Sequence, residues 1–325
     1  MSGRPTLALL IPAYNAAAHL ARLLKSAACQ SEPFDEIWVY DDASTDGTAS
    51  VAQRHGARII QGEQNCGCTA AKTILVNRTK CDWVHFHDAD DLLLSNFVES
   101  AQRWMRQSDV DVVVFSCEER WETTGDFISL SHHEDSFLAS DPVGYTIRCK
   151  INAISGIYRR TAFLSAGGFD LDPDVLYNED QAYHCKLARA GLRFRADPTV
   201  TVVNLRRDSS MWISNQQKAF RAHYHVMRKA FAGPGGERHR EEIAKSLWHV
   251  VASAGAQLDW RTADDAAALA MRAAGPSHAP SSVTFKVLCQ ISPRFALRAR
   301  ELLIRAFRPK QREGYPGWRA PIGLL

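Results

Sequence analysis

The stretch Thr6-Leu7-Ala8-Leu9-Leu10-Ile11-Pro12-Ala13-Tyr14-Asn15 decides how the rest of the chain is read. Behind Arg4, its apolar run resembles a poor signal-peptide core, but it is short and is stopped by Pro12. It therefore reads as a buried first strand over 6–11 that ends in a polar turn. Similar runs at 36–41, 57–61, 82–87 and 110–116 alternate with helical periodicity near 16–29, 46–55, 67–78 and 95–107. This βαβα rhythm predicts an α/β fold: a mostly parallel, Rossmann-like sheet flanked by helices, with ligands at the carboxyl ends of the strands.

Beyond that repeat the pattern loosens. Residues 117–150 are polar and irregular, so long loops are expected there. A strand near 153–158, a Gly167-Gly168-Phe169-Asp170 turn, a helix over 179–190 and two short strands ending at 204 follow. Helical patterns then cover 212–232, 237–256 and 262–273. The expected organisation is an α/β domain over 1–210 and a helical C-terminal region over 211–325.

The chain has 325 residues, 46% of them hydrophobic, enough for a real core. Its net charge of +3 is uneven: residues 283–313 hold eight Lys/Arg against two Glu, a local +6, leaving −3 elsewhere. Basicity is thus a property of the tail, and no nucleic-acid partner is expected. Eight cysteines without a small-scaffold spacing read as reduced thiols in the cytoplasm. No apolar run approaches the ~20 residues of a membrane span.

Three strand ends are polar: Pro12-Ala13-Tyr14-Asn15, Asp41-Asp42-Ala43-Ser44-Thr45-Asp46-Gly47 and Asp88-Ala89-Asp90-Asp91. In a parallel sheet they share one edge. Two carboxylates about 4 Å apart repel by roughly 4 kcal/mol at an effective dielectric near 20, so converging acids need a partner. Mg²⁺ or Mn²⁺, held by one or two carboxylates and completed by phosphates, supplies one. The alternative is that Asp88, Asp90 and Asp91 cap a helix starting near Leu92. Competing motifs fail on spacing. Asp42-x-Ser44-x-Asp46-Gly47 starts like a calcium loop but has Gln53 at its twelfth position, and neither a P-loop nor G-x-G-x-x-G occurs. Cys66, Cys68, Cys81, His85 and His87 lack paired zinc-ligand spacing.

With Asn65-x-Gly67 and Asn178-Glu179-Asp180 added in order, the chain closely resembles glycosyltransferase family 2, nucleotide-sugar enzymes of the GT-A fold, over about residues 5–207. The resemblance implies inverting transfer from a nucleotide-diphosphate sugar, usually a UDP-sugar, to a hydroxyl of a glycan or lipid-linked acceptor. Residues 1–117 would then bind the donor and 118–210 would face the acceptor. The motifs matching the family's donor site include Pro12, Ala13, Tyr14 and Asn15, with Asp42 accepting from the base. Asp88 would lie near the ribose, with Ala89 among the donor-binding residues, Asp88 and Asp90 at the cation, and Glu179 beside Asp180, the match to the catalytic base. The alternative for Glu179 and Asp180 is a favourable charge on the first turn of a helix.

Two departures stand out. Lys72-Thr73 replaces the family's usual Arg-Asn pair, leaving Lys72 to meet a phosphate as a point charge. The stretch Asn204-Leu205-Arg206-Arg207-Asp208-Ser209-Ser210 lacks the metal-binding His of many members, and Arg207 is expected to pair with the diphosphate instead, the alternative for Arg206 and Arg207 being a solvated surface pair. Trp121, His132, His133 and Trp212 are candidates for stacking on an acceptor sugar. The rival functions are a sugar nucleotidyltransferase, which needs a Gly-rich loop where this chain has Pro-Ala-Tyr-Asn, and a sugar-nucleotide-binding protein without transferase activity. Residues 283–312 mix apolar side chains with the basic excess, so a peripheral position on an anionic, cytoplasmic membrane face competes with a helix packed on the catalytic domain.

Overall fold

Every residue of the first strand, β1 (Leu7–Ala13), is buried, so β1 is an interior strand of a sheet covered on both faces. The computed structural model describes residues 3–207, 215–279 and 282–315. These residues form two compact units. The first holds residues up to 207 except Ile147–Cys149 and Asp172–Asn178; the second holds those two pieces and the residues from 215 onward.

In the first unit, β1 lies between β2 (Glu36–Asp41) and β4 (Trp83–Phe86), with β3 (Arg58–Gln61) outside β2, all parallel. Further on come β5 (Leu92–Leu93), β6 (Val112–Trp121), β7 (Phe127–Ser131), β8 (Gly156–Arg159) and β9 (Phe194–Arg206). The order is β3-β2-β1-β4-β8-β6-β9-β5, with β7 on β6. The half that ends in the polar motifs is therefore parallel, whereas β8, β5 and β7 pair antiparallel and make the whole sheet mixed. Helix α1 (Ala17–Ala28) covers one face with Leu20, Leu23, Leu24 and Ala27, spaced i, i+3, i+4, i+7. Each fully buried leucine of this core contributes about 1.5–3 kcal/mol. Helices α2 (Thr48–Arg54), α3 (Cys68–Arg78) and α4 (Phe97–Met105) complete the repeat.

Three expectations are corrected. Residues 117–150 are not long loops: they continue β6, turn into β7 and form α5 (Asp135–Ser140) and α6 (Pro142–Arg148). The two short strands before 204 are one, because β9 bulges at Pro198, which has no ladder donor, and then resumes its parallel pairing with β6. Asp88, Asp90 and Asp91 cap no helix, since Leu92–Leu93 is a strand on β9 and α4 begins at Phe97. After α7 (Arg160–Ser165), helix α8 (Glu179–Arg189) packs with Gln181 Nε2 donating to Thr146 O at 3.1 Å.

The second unit is helical: α9 (Gln216–Ala232), α10 (Arg240–Ala256), α11 (Trp260–Ala274), α12 (Val283–Ile291) and α13 (Pro293–Phe307). Residues 212–214 of the helix expected over 212–232, Trp212 among them, lie outside the described residues. The basic tail is two helices rather than one. Ser292 caps α13 through its hydroxyl, and Pro293 at the first helical position cannot continue α12. Glu301 is buried and paired with Arg305 at 2.9 Å and Arg312 at 2.7 Å, while Arg305 Nη2 donates to Ala256 O at 2.9 Å and ties α13 to α10.

Candidate active site

In register, Ala13 pairs with Asp41, so the turns after β1 and β2 leave the sheet side by side. They are then stitched together. Asn15 N–H donates to Ser44 Oγ at 2.9 Å, and Thr45 N–H donates back to Asn15 Oδ1 at 2.9 Å. Ala16 N–H donates to Thr48 Oγ1 at 2.8 Å and Ala17 N–H to Asp46 Oδ2 at 3.1 Å, so the first amides of α1 are capped by the neighbouring loop. Asn15 (φ 47°) and Ala43 (φ 61°) are left-handed; asparagine tolerates this, but alanine's Cβ costs about 1 kcal/mol there.

Asp42 is 3% exposed and accepts from Cys66 N–H at 2.8 Å through Oδ1 and from Gly67 N–H at 2.9 Å through Oδ2. Sequence reasoning expected it to meet the base; the structure shows it fastening the loop ahead of α3, with a second lone pair left on each oxygen. Gly67 adopts φ 85°, ψ 157°, a region essentially reserved for glycine, which explains the Asn65-x-Gly67 motif. Next to it, Tyr40 is pushed up to about 12 by its hydrogen bond to Cys66 and then by burial. Pro12 and Ala13 are the buried end of β1, and Tyr14 is 53% exposed.

Beyond β4, the three acids separate into two kinds. Asp88 and Asp90 are partly exposed, at 41% and 43% of their side chains, with Ala89 buried between them. Asp91 is buried and accepts from Asn204 Nδ2 at 2.9 Å and Leu205 N–H at 2.7 Å. Burial, then Asp90 and Asp88, push its pKa well up. It anchors the end of β9 rather than facing a ligand.

Lys72, on α3, is almost fully buried and donates to Asp88 Oδ1 at 2.9 Å. Burial opposes its charge, but Asp88, Cys68 and Asp180 together hold its pKa well above the usual lysine value. Its ammonium is thus engaged by the protein's own carboxylate where a phosphate was expected. Asp90 Oδ2 accepts from Arg207 Nη1 at 3.0 Å, and Arg207 Nε donates to Glu122. Glu122 also holds Arg22 at 2.7 Å and His19 at 3.2 Å. Arg207 Nη2 is buried without a hydrogen-bond partner among the described residues, so this side chain keeps an unspent donor beside Asp90.

Asp180 lies half-buried in the first turn of α8, where Ala153 N–H approaches Oδ2 at a long 3.5 Å. Burial raises its pKa; Lys150 and Lys72 pull it down and Asp88 pushes it up. Glu179 is raised too, by burial and then by Asp180. Asp88, Asp180, Glu179 and Lys72 therefore form one electrostatic cluster, joined to Asp42 through the 66–67 loop and α3. Among the other candidates, His133 is buried with Nδ1 2.9 Å from Tyr145 Oη, His132 lies 3.4 Å from Ser116 Oγ, and Trp121 is 41% exposed. No motif points to Glu122, 85 residues from Arg207, nor to the amides of Cys66 and Gly67 that meet Asp42.

The donor set suits a hard divalent cation. Asp88 and Asp90 each keep one carboxylate oxygen free of ion pairs, while no group of three His, Cys, Asp or Glu side chains closes into a cage among the described residues. That is the pattern of Mg²⁺ or Mn²⁺ bound by one or two carboxylates and completed by phosphates and water.

The family model for glycosyl transferase family 2 matches residues 8–164. Glycosyltransferase GlyG of Streptococcus pneumoniae is 25% identical over 126 residues, 37% of this chain and 42% of its own length. The putative teichuronic acid biosynthesis glycosyltransferase TuaG of Bacillus subtilis is 28% identical over 109 residues, 32% of this chain and 43% of its own. The chain thus spans less than half the length of these curated relatives. Among solved structures, S. aureus TarS 1-349 in complex with UDP-GlcNAc superimposes with a TM-score of 0.71 at 17% identity, covering 95% of this chain and 92% of that one. Mannosyltransferase PcManGT from Pyrobaculum calidifontis, in complex with GDP-Man and Mn²⁺, gives 0.60 at 20% identity over 95% and 83%. The fold is of the GT-A type, and the likeness in fold reaches into the C-terminal helices.

Proposed function

We propose, for a chain whose residues 8–164 belong to glycosyl transferase family 2, that it moves a sugar from a nucleotide-diphosphate donor to an acceptor hydroxyl with inversion. The observation that carries this reading is the cluster at the end of β4, where Asp88, Lys72 and Asp180 share one electrostatic environment beside Asp90 and Arg207. Its support from outside is that TarS and PcManGT, which share the fold, were crystallised with UDP-GlcNAc and GDP-Man. A UDP-sugar is the preferred donor, hexosyl or N-acetylhexosaminyl.

The base and ribose bind where Pro12, Ala13, Tyr14, Asn15 and Asp42 meet, with Tyr14 free to stack. Asp88 and Asp90 would hold Mn²⁺ or Mg²⁺, which supplies charge stabilisation to the departing diphosphate. Arg207 adds its unspent N–H to the same phosphates. Asp180 takes the proton from the acceptor hydroxyl as its oxygen bonds to the anomeric carbon and the bond to the diphosphate breaks. Burial suits Asp180 to this, because a carboxylate with a raised pKa is a stronger base. The acceptor is a glycan or lipid-linked sugar. Residues 283–312 lie against an anionic cytoplasmic membrane surface; no helix among the described residues is long and apolar enough to cross one.

The test is a donor screen that measures released nucleoside diphosphate with and without Mn²⁺. Asp180→Asn should lower acceptor-dependent turnover about 10²–10⁴-fold, the usual contribution of a general base, while donor affinity stays within about threefold. Full turnover by this variant sinks the assignment. Donor binding without any turnover across acceptor libraries would favour the binding-only rival.

A further inference from the structure

The C-terminal helices present a pattern that the transferase reading leaves unused. On α12 the residues Val283, Val287 and Ile291, and on α13 Phe295, Leu303 and Phe307, are 51–79% exposed at steps of four or eight, each set on one face of its helix. Between the helices runs a groove of about 680 Å³ whose apolar wall includes Phe285, Leu288 and Ile304. Among the described residues no carboxylate lines it, yet two arginines do, Arg300 and Arg308. Neither side chain makes an ion pair or hydrogen bond among the described residues; Arg300 lies over the Phe285 ring at 5.7 Å, half-buried, with Arg312 and then Glu301 as the charges nearest to it. The nearest acid in sequence, Glu301, is buried and spent on Arg305 and Arg312.

An apolar slot with two unpaired cations and no acid is complementary to a molecule with a hydrocarbon chain and an anionic head. A second copy fits poorly, because a two-fold contact would set these arginines against each other. We propose that the groove between α12 and α13 seats one acyl chain of an anionic phospholipid, its phosphate on Arg300 and Arg308, with the exposed stripes in the bilayer interface. This rests on the reading that residues 283–312 meet a membrane, and it names the lipid class and the residues that choose it.

Vesicle co-sedimentation of the full chain tests it, comparing phosphatidylcholine alone with phosphatidylcholine plus phosphatidylglycerol. The anionic vesicles should bind about tenfold tighter or more. Arg300→Gln/Arg308→Gln should weaken that binding about 30-fold, roughly a factor of five for each basic residue at the surface, whereas Lys310→Gln outside the groove should cost about fivefold or less. Ile304→Trp, which fills the groove but keeps every charge, should also release the protein. Donor hydrolysis should be unchanged in all of these, so a failed lipid site leaves the transferase reading standing. Equal binding to both vesicles, indifference to Ile304→Trp, self-association without vesicle binding, or binding seen only after deletion of residues 316–325 would each overturn the proposal. Should a variant misfold, titration of the wild type with an anionic single-chain lysolipid against its zwitterionic counterpart decides; equal heats count against it.

Discussion

The two sides of the candidate site are built on opposite plans. On the β1–β2 side, backbone N–H groups of residues 15–17, 45 and 66–67 donate to Ser44, Thr48, Asp46, Asn15 and Asp42, tying three loops without a matched ion pair. On the β4–β9 side, Asp88 and Asp90 are each matched by one cation, Lys72 and Arg207. Loops tied by backbone donors keep their shape regardless of ligand. A half-exposed carboxylate on a single cation can trade that partner for another, so under the proposed function the second rim would exchange these partners for a metal diphosphate.

The largest effect expected is the Asp180→Asn loss of turnover, which strikes the charged rim alone and should leave stability near wild type. Acid comes next. Burial lowers His85 to about 4 and His184 to about 3, and His87, hydrogen-bonded to His85 at 2.9 Å, lies well below its usual value. Their folded pKa values lie below the unfolded value near 6.5, so the native state binds fewer protons between pH 6.5 and 4. Stability is present above that window and is lost as pH falls through it, by about 1.4 kcal/mol per pH unit for each histidine. Asp91, Glu179 and Asp180, whose pKa values are raised, act in the opposite direction and offset part of the loss. Urea unfolding at pH 7.5, 6 and 5 measures the slope; stability that is flat or rises on acidification breaks this account.

Asp42→Ala should cost about 2–4 kcal/mol by orphaning two amides, and should weaken donor binding with it. If instead Asp42→Ala spared stability and only weakened donor binding, the β1–β2 rim would not be preformed. Arg207→Gln frees Asp90, and because the pair is partly exposed the gain is modest: the Mn²⁺ concentration at half-saturation should fall about two- to fivefold, read by metal titration of donor binding. An unchanged or higher midpoint would mean that Arg207 does not compete with the cation. The smallest effect is Ala43→Gly, which relieves the left-handed backbone and should stabilise by less than about 1 kcal/mol.

Much of the nucleotide-side architecture was legible because it is local. Strand periodicity located β1 to β4 within a few residues, and the polar ends named the turns that meet. What escaped is non-local or relies on a residue that normally breaks a pattern. Two short strands are expected before 204, yet a bulge at Pro198 keeps β9 as one strand that runs on to carry Arg207 to Asp90, 117 residues away. Lys72 reads as a point-charge ligand for a phosphate, since nothing in its helix announces burial beneath Asp88. The polar stretch after 117 hid a hairpin because β6 and β7 have one partly solvated edge, where strand residues need not be apolar.

Glu122 is the hub to which three positive or protonatable side chains turn: His19 and Arg22 from α1, and Arg207 from the end of β9. A change at this one glutamate would release all of them at once, and a freed Arg207 would bear on Asp90 alone. Positions 19, 22, 122 and 207 should therefore drift together between relatives, so that an acid lost at 122 is tolerated only where the cations around it have been trimmed as well.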